Sequence, residues 1–303
     1  MPVLKILLGI FLGVLSLIGV ILNFIVLVPV FKFAFFQNKS PIYVLSFINI
    51  ILDIVNLLFT VFYLVPSIIS NAYFFTDLKS GTLSILMGTC FMFLWYLGSI
   101  TQIVMAVNRL VVIYFRRSDV FTRYNIAILF SGIVPACLFL AYMAQYGFVC
   151  CSFIFDHVVL SYSYNHIGDL ENYPNLFIDL PLNTFSSTTA LICYLIIVWT
   201  VRKSTRGIAS TIQRPQKNRE VVYAMQFCVI SILYTFSWIT FRLFPVLIGN
   251  SRPEWFIFIS IAVTVNNSAN AIIYLISNQE VLRNLKSSGL FSKASNSQTL
   301  AIT

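Results

Sequence analysis

Seven apolar stretches divide this chain, and the positive charges between them fall almost wholly on alternate sides. Of the 19 Lys and Arg, 15 belong to one set of loops and ends, three to the other, and Arg242 lies inside a stretch. Only about 20 mostly apolar residues are needed to carry a helix across some 30 Å of hydrocarbon. The stretches lie at about 6–31, 42–66, 83–109, 124–147, 179–201, 221–248 and 255–277. The chain is 59% hydrophobic and 10% charged, against about 25% charged in an ordinary soluble domain. We therefore expect an all-α, polytopic membrane protein: a seven-transmembrane helix bundle over 1–285, followed by a disordered cytosolic tail over 286–303.

The charge bias sets the expected orientation, because Lys and Arg near span ends favour the cytosol. One side carries clusters such as Arg116, Arg117 and Arg123, then Arg202 to Arg219, then Arg283, Lys286 and Lys293. The other carries only Lys5, Lys79 and Arg252, with the acids Asp77, Asp156, Asp169, Glu171, Asp179 and Glu254. This places the N-terminus outside and the C-terminus in the cytosol of a multi-pass plasma-membrane protein. The net charge of +9 is then a topology signal that favours anionic lipid headgroups, not nucleic acid. The first stretch reads as an uncleaved anchor. Gly9 and Gly13 within it form a GxxxG, a register common in apolar helices that can also serve as a dimer face. A short amphipathic helix is expected from Ser277 to Leu285, lying on the inner membrane surface, with Ser277 and Glu280 at capping-box spacing. The long loop 148–178 is placed to lid the bundle.

Ionisable groups in hydrocarbon cost several kcal/mol unless partnered, so they are candidates for function. Asp53 lies mid-way along the second span and Asn23 mid-way along the first. In the seventh, Asn266, Asn270 and Tyr274 recur every four residues on one helix face. Asn23, Asp53, Asn266 and Asn270 would satisfy one another as an intramembrane polar network. Two roles suit such a network: structural glue between helices, or a switch whose Asp changes protonation or binds Na⁺. Arg109, preceded by Asn108, ends the third span. It would either snorkel to headgroups or, on one stripe with Trp95, Ser99 and Gln102, face inward and pair with Glu220 at the start of the sixth. Tyr234, Trp238 and Arg242 repeat every four residues in the sixth span, followed by Pro245, which would kink it. Arg242 lies six residues, about 9 Å, from the span end. It would snorkel, pair with Glu254, or hold an anionic ligand.

With these residues placed, the chain resembles the rhodopsin-like class of G-protein-coupled receptors over nearly its whole length. Gly19-Val-Ile-Leu-Asn23 is similar to the first-span signature, and Asp53 to the second-span acid. Asn108-Arg109 stands at the acid-Arg-Tyr triplet, Phe236-Ser-Trp238 at the sixth-span aromatic switch, and Asn270-Ala-Ile-Ile-Tyr274 at the Asn-Pro-x-x-Tyr motif. Each match is weak alone; five in order on five spans are specific. Departures are Asn108 for the acid, no Tyr at Leu110 or Val111, Ala271 and Thr240 for two prolines, and Ser84 where a third-span Cys is usual. These departures resemble the nematode serpentine chemoreceptors, and within them the class X (srx) group.

The resemblance implies a chemosensory receptor that passes the binding of a small extracellular ligand to a cytosolic heterotrimeric G protein. It implies a ligand pocket near Trp95, Tyr96, Trp238 and Arg242, and an inner switch formed by Asn108, Arg109, Glu220 and Tyr274. It also implies a bridge from the outer end of the third span to the long loop. Cys90, 19 residues or about 28 Å before Arg109, would reach Cys150 or Cys151. No cofactor is implied: residues 255–277 hold no Lys for a retinal Schiff base. An ion-coupled small-molecule transporter is the rival reading, carried by Asp53 and its Asn neighbours, but internal repeats are not visible. No HExxH, GxSxG, P-loop or metal-ligand spacing points to an enzyme.

Overall fold

The computed structural model describes all residues except 1, 38, 74–78, 80, 118, 166, 169, 206–213, 249–251 and 288–303, and the side chains of 2 and 204–224. Each apolar stretch is a helix, because in lipid a backbone must satisfy its own hydrogen bonds. The seven are α1 (Val3–Phe36), α2 (Ile42–Ser70), α3 (Thr82–Ile113), α4 (Arg123–Tyr146), α5 (Asn175–Lys203), α6 (Arg214–Ile248) and α7 (Pro253–Ser277). Below, the rim where α1 starts is the N-terminal rim, and the opposite one the C-terminal rim.

Burial separates a central layer from a lipid-facing one. In α3 and α7, 67% of the most apolar window is buried, against 22% in α4. α3 touches α2, α4, α5 and α6, so it forms the axis of the bundle. Helix association in lipid relies on close packing of small residues. A Cβ on Gly9 would stand 2.9 Å from Ile68, and one on Gly13 3.1 Å from Val65. The GxxxG face is thus spent inside the molecule against α2, not on a dimer. Likewise Gly19 packs against Leu57 of α2 and Ser268 of α7.

Three features were not legible in the periodicity. π-helical turns interrupt α1 at Lys32–Phe36, α2 at Thr60–Leu64 and α5 at Asn175–Asp179. Such turns are often found at functional sites. The loop after α4 folds as an antiparallel hairpin, β1 (Phe153–Asp156) and β2 (Ser161–Tyr164), with Phe153 opposite Tyr164 and Asp156 opposite Ser161. All four β1 residues are buried, so the expected lid is a wedge between the helices. Finally, α6 continues through Pro245 as one helix to Ile248, the proline lying exposed in its last turn.

The short amphipathic helix is α8 (Gln279–Ser287). Asn278 separates it from α7 with an extended backbone, φ −92° and ψ 94°, so α8 is not an extension of the last span. The cap is one residue later than the capping-box spacing indicated. Asn278 Oδ1 accepts from the N–H groups of Glu280 and Val281, both at 3.1 Å. Val281 and Leu285 are buried while Arg283 and Lys286 are exposed.

Candidate functional site

A cavity of about 340 Å³ opens beneath the hairpin, between α3, α5, α6 and α7. Phe91 and Trp95 of α3, Phe153 and Tyr162 of the hairpin, and Trp238 and Phe241 of α6 give it six aromatic walls. Phe91 stacks on Tyr162 and Phe153 with ring centroids 4.6 and 5.3 Å apart. Trp95 and Trp238 stand where the sequence placed them. Tyr96 is wholly buried in α3 but does not line the cavity, and neither does Arg242. The Arg242 guanidinium donates to Asn175 Oδ1 of α5 rather than pairing with Glu254.

The sequence reading missed Asp179, counted there among the loop acids. It lines the cavity and is 3% exposed. The π turn at Asn175–Asp179 brings it into the bundle at the head of α5. The readable signal was Asn183, one helical turn on. Asn183 Nδ2 donates to Asp179 Oδ1 at 2.8 Å and to its carbonyl at 2.8 Å. Asn183 Oδ1 in turn accepts from Trp95 Nε1 at 3.0 Å, from Ser99 Oγ at 3.1 Å and from the Tyr234 hydroxyl. One amide therefore ties the cavity's acid to α3, α5 and α6.

Deeper in the bundle, a second cavity of about 310 Å³ is lined by Asp53, Asn49, Asn56, Gln102, Asn266 and Asn267 among others. Asn270 Nδ2 donates to Asp53 Oδ2 at 2.5 Å, and Asn49 Nδ2 reaches the same oxygen at 3.5 Å. Asn23 does not join the carboxylate. Its Nδ2 donates to the carbonyls of Gly19 at 2.9 Å and Asn267 at 3.0 Å, tying α1 to α7. Asn266 lies at the cavity wall, its Nδ2 3.5 Å from Asn267 Oδ1. Of the expected four-member cluster only Asp53 and Asn270 bond each other, because Asn23 is drawn to backbone carbonyls and Asn266 to Asn267.

Towards the C-terminal rim, Arg109 is 2% exposed, so it does not snorkel. Its guanidinium lies 5.2 Å from the Phe227 ring of α6, a cation–π contact joining α3 to α6. Asn108 beside it is also buried. Glu220 belongs to α6, but its side chain, and so the expected pair with Arg109, lies outside the described residues. The Tyr274 hydroxyl bonds Ser46 of α2. A contact the sequence did not suggest closes this rim: the Tyr43 hydroxyl donates to Glu280 Oε2 of α8 at 2.8 Å, and Lys39 Nζ lies 3.4 Å from it.

The family model for the serpentine type 7TM GPCR chemoreceptor Srx matches residues 14–278. The chain belongs to the Srx chemoreceptor family. It is a G-protein-coupled receptor of chemosensory type. A crystal structure of squid rhodopsin superposes with a TM-score of 0.77, covering 96% of this chain and 87% of that one. At 17% identity that likeness shows the fold. A search of curated proteins gives no significant match.

The receptor's departures from the rhodopsin-like motifs have local counterparts. Thr240, where a proline is usual, turns its Oγ1 back to the Ser237 carbonyl at 2.7 Å. Ala271 is fully buried in an unbroken α7. Cys90 does not bridge to the loop. It is a free thiol, and Cys150 and Cys151 are joined to each other. The hairpin is held by other means, chiefly to Gln145 of α4. Gln145 Nε2 donates to the Phe153 carbonyl at 2.9 Å, and Phe153 N–H donates to Gln145 Oε1 at 2.6 Å. Asp156 adds an anchor: Lys79 Nζ lies 2.9 Å away, and the Val158 N–H and Ser163 hydroxyl donate at 3.0 Å. Burial pushes the Asp156 carboxyl up, but Lys79, Val158 and Ser163 together hold it below its ordinary value. Burial also lowers His157 next to it; Lys5 and Lys79 add to that, and Asp156 opposes it.

Proposed function

We propose that the receptor sits in the plasma membrane with its N-terminus outside, binds a small ligand in the aromatic cavity beneath the hairpin, and activates a heterotrimeric G protein at its C-terminal rim. The observation that carries this reading is the reach of α6. It places Trp238 in the cavity wall and Phe227 against the Arg109 guanidinium, 11 residues or about 16 Å apart on one helix. A ligand that shifts Trp238 therefore acts on the same rigid element that covers Arg109.

A ligand shifts this equilibrium only through a difference in affinity between two arrangements. The Asn183 amide supplies a two-sided reporter, since it holds the cavity's acid on one side and Tyr234 of α6 on the other. Rotation of α6 that breaks the Tyr234 bond also lifts Phe227 from Arg109. The exposed C-terminal ends of α3 and α5, with Arg116, Arg117, Arg202 and Lys203, then meet the partner. The Asp53–Asn270 pair ties α2 to α7 and keeps the frame against which α6 moves.

Guanine-nucleotide exchange on purified G proteins, driven by full-length receptor in nanodiscs, tests this. A ligand found by screening for cAMP, cGMP or Ca²⁺ responses accelerates exchange by the wild type. Arg109→Ala binds that ligand with unchanged affinity and gives no acceleration. Full exchange by the variant rejects the role of Arg109.

A further inference from the structure

The cavity's chemistry is unbalanced. Its walls are aromatic, and among the described residues the one charged side chain lining it is Asp179. Of the other polar groups there, the Ser237 hydroxyl donates to the carbonyls of Leu233 and Ala262 at 3.0 and 2.9 Å and the Trp95 indole N–H donates to Asn183, while the Trp238 indole N–H has no hydrogen-bond partner among the described residues. Asp179 Oδ1 accepts from Asn183, and among the described residues the carboxylate takes part in no ion pair within 4.0 Å. The field of Arg242 reaches it, but that guanidinium is tied to Asn175 and lies outside the cavity wall. A buried carboxylate without a close cation is costly, and nature pairs such groups or leaves them for a ligand to pair.

We propose that the ligand is a small organic cation, an amine or quaternary ammonium, whose charge pairs with Asp179 while its apolar part rests among Phe91, Trp95, Tyr162, Trp238 and Phe241. Aromatic faces attract such cations through the negative face of the ring, most strongly when water is excluded. Cation and carboxylate then satisfy each other away from solvent. The cavity is narrow and closely walled by rings, so it suits a molecule with no more than a single ring or a short chain. This inference rests on the reading of the cavity as the ligand site. The recognising acid stands on α5, held by the π turn and Asn183, so Asn183 is a positioning residue.

Full-length receptor in nanodiscs is titrated with three probes of similar shape: phenyltrimethylammonium, its neutral isostere tert-butylbenzene, and benzoate. Binding is read as a saturable rise in Tm. The cation raises Tm at millimolar concentration or below, and neither of the others does so at tenfold higher concentration. Asp179→Asn keeps an oxygen for Asn183 but weakens the cation at least about tenfold, the equivalent of ~1.4 kcal/mol. Phe241→Leu, which leaves Asp179 in place, weakens the cation a few-fold and leaves the other probes unchanged. The proposal is overturned if the cation does not bind, if the neutral isostere binds equally well, or if Asp179→Asn binds the cation as tightly as the wild type. Nucleotide exchange is measured separately: binding without exchange counts against G-protein coupling, not against the ligand's charge.

Discussion

Single residues decide how the hairpin and the helices meet. Gly88 of α3 lies under β1, where a Cβ would collide with the Phe153 carbonyl oxygen, a backbone atom that cannot swing aside. Gly88→Ala must lift the hairpin or bend α3. Overpacking of this kind costs about 1–3 kcal/mol. The expected result is a Tm lowered by several degrees together with weaker ligand binding, since Phe153 and Tyr162 line the cavity. An unchanged Tm and affinity would mean the hairpin is loosely seated. Residues also show where sequence reasoning stops. Asp53 was legible because a charge deep in an apolar run stands out, and the inward face of Arg109 because it shares a stripe with Trp95, Ser99 and Gln102. Asp179 was not, because it sits at the edge of such a run, where an acid reads as loop. Asn23 was correctly placed at depth, but which partner it takes depends on α7 backbone carbonyls that no pattern reveals.

At the scale of elements, the seven helices were readable from hydropathy because the bilayer imposes a common length. The π turns and the hairpin were not. A π turn adds one residue to a helical turn and leaves the composition unaltered, yet the one in α5 brings Asp179 into the cavity. The strands are four residues each, and β1 is buried on both faces, so it shows no alternation to read. The hairpin's anchor gives a pH dependence with a defined sign. His157 has a lowered folded pKa, so it is held neutral in the fold. Its unfolded form takes up a proton from about pH 6.5 downward. Stability is complete above that value and declines as pH falls from it towards the folded value. Asp156, also lowered, contributes stability that is present above about pH 4, the unfolded value, and is lost as pH falls through the folded one. Its partner Lys79 is 43% exposed, so solvent screens the pair and the lower step is small. The expected Tm profile has two declines on acidification. His157→Gln removes the upper one and Asp156→Asn the lower. A profile flat from neutral pH to pH 5 in the wild type would exclude the His157 contribution.

Across the whole molecule, function depends on two rims doing different work. The cavity, the hairpin and Asp156 lie towards the N-terminal rim. Arg109, the ends of α3 and α5, and the Glu280 contacts of α8 lie towards the other. The family and the fold establish a multi-pass receptor, and the proposed signal runs along α6 between the rims. That scheme holds only if the rims face different aqueous phases in the order the Lys and Arg bias indicates. Epitope tags on the two termini of the full-length receptor, stained on intact and then on permeabilised cells, test this directly. The account predicts that the N-terminal tag stains on intact cells and the C-terminal tag only after permeabilisation. Staining of both tags on intact cells, or the reverse order, would contradict it.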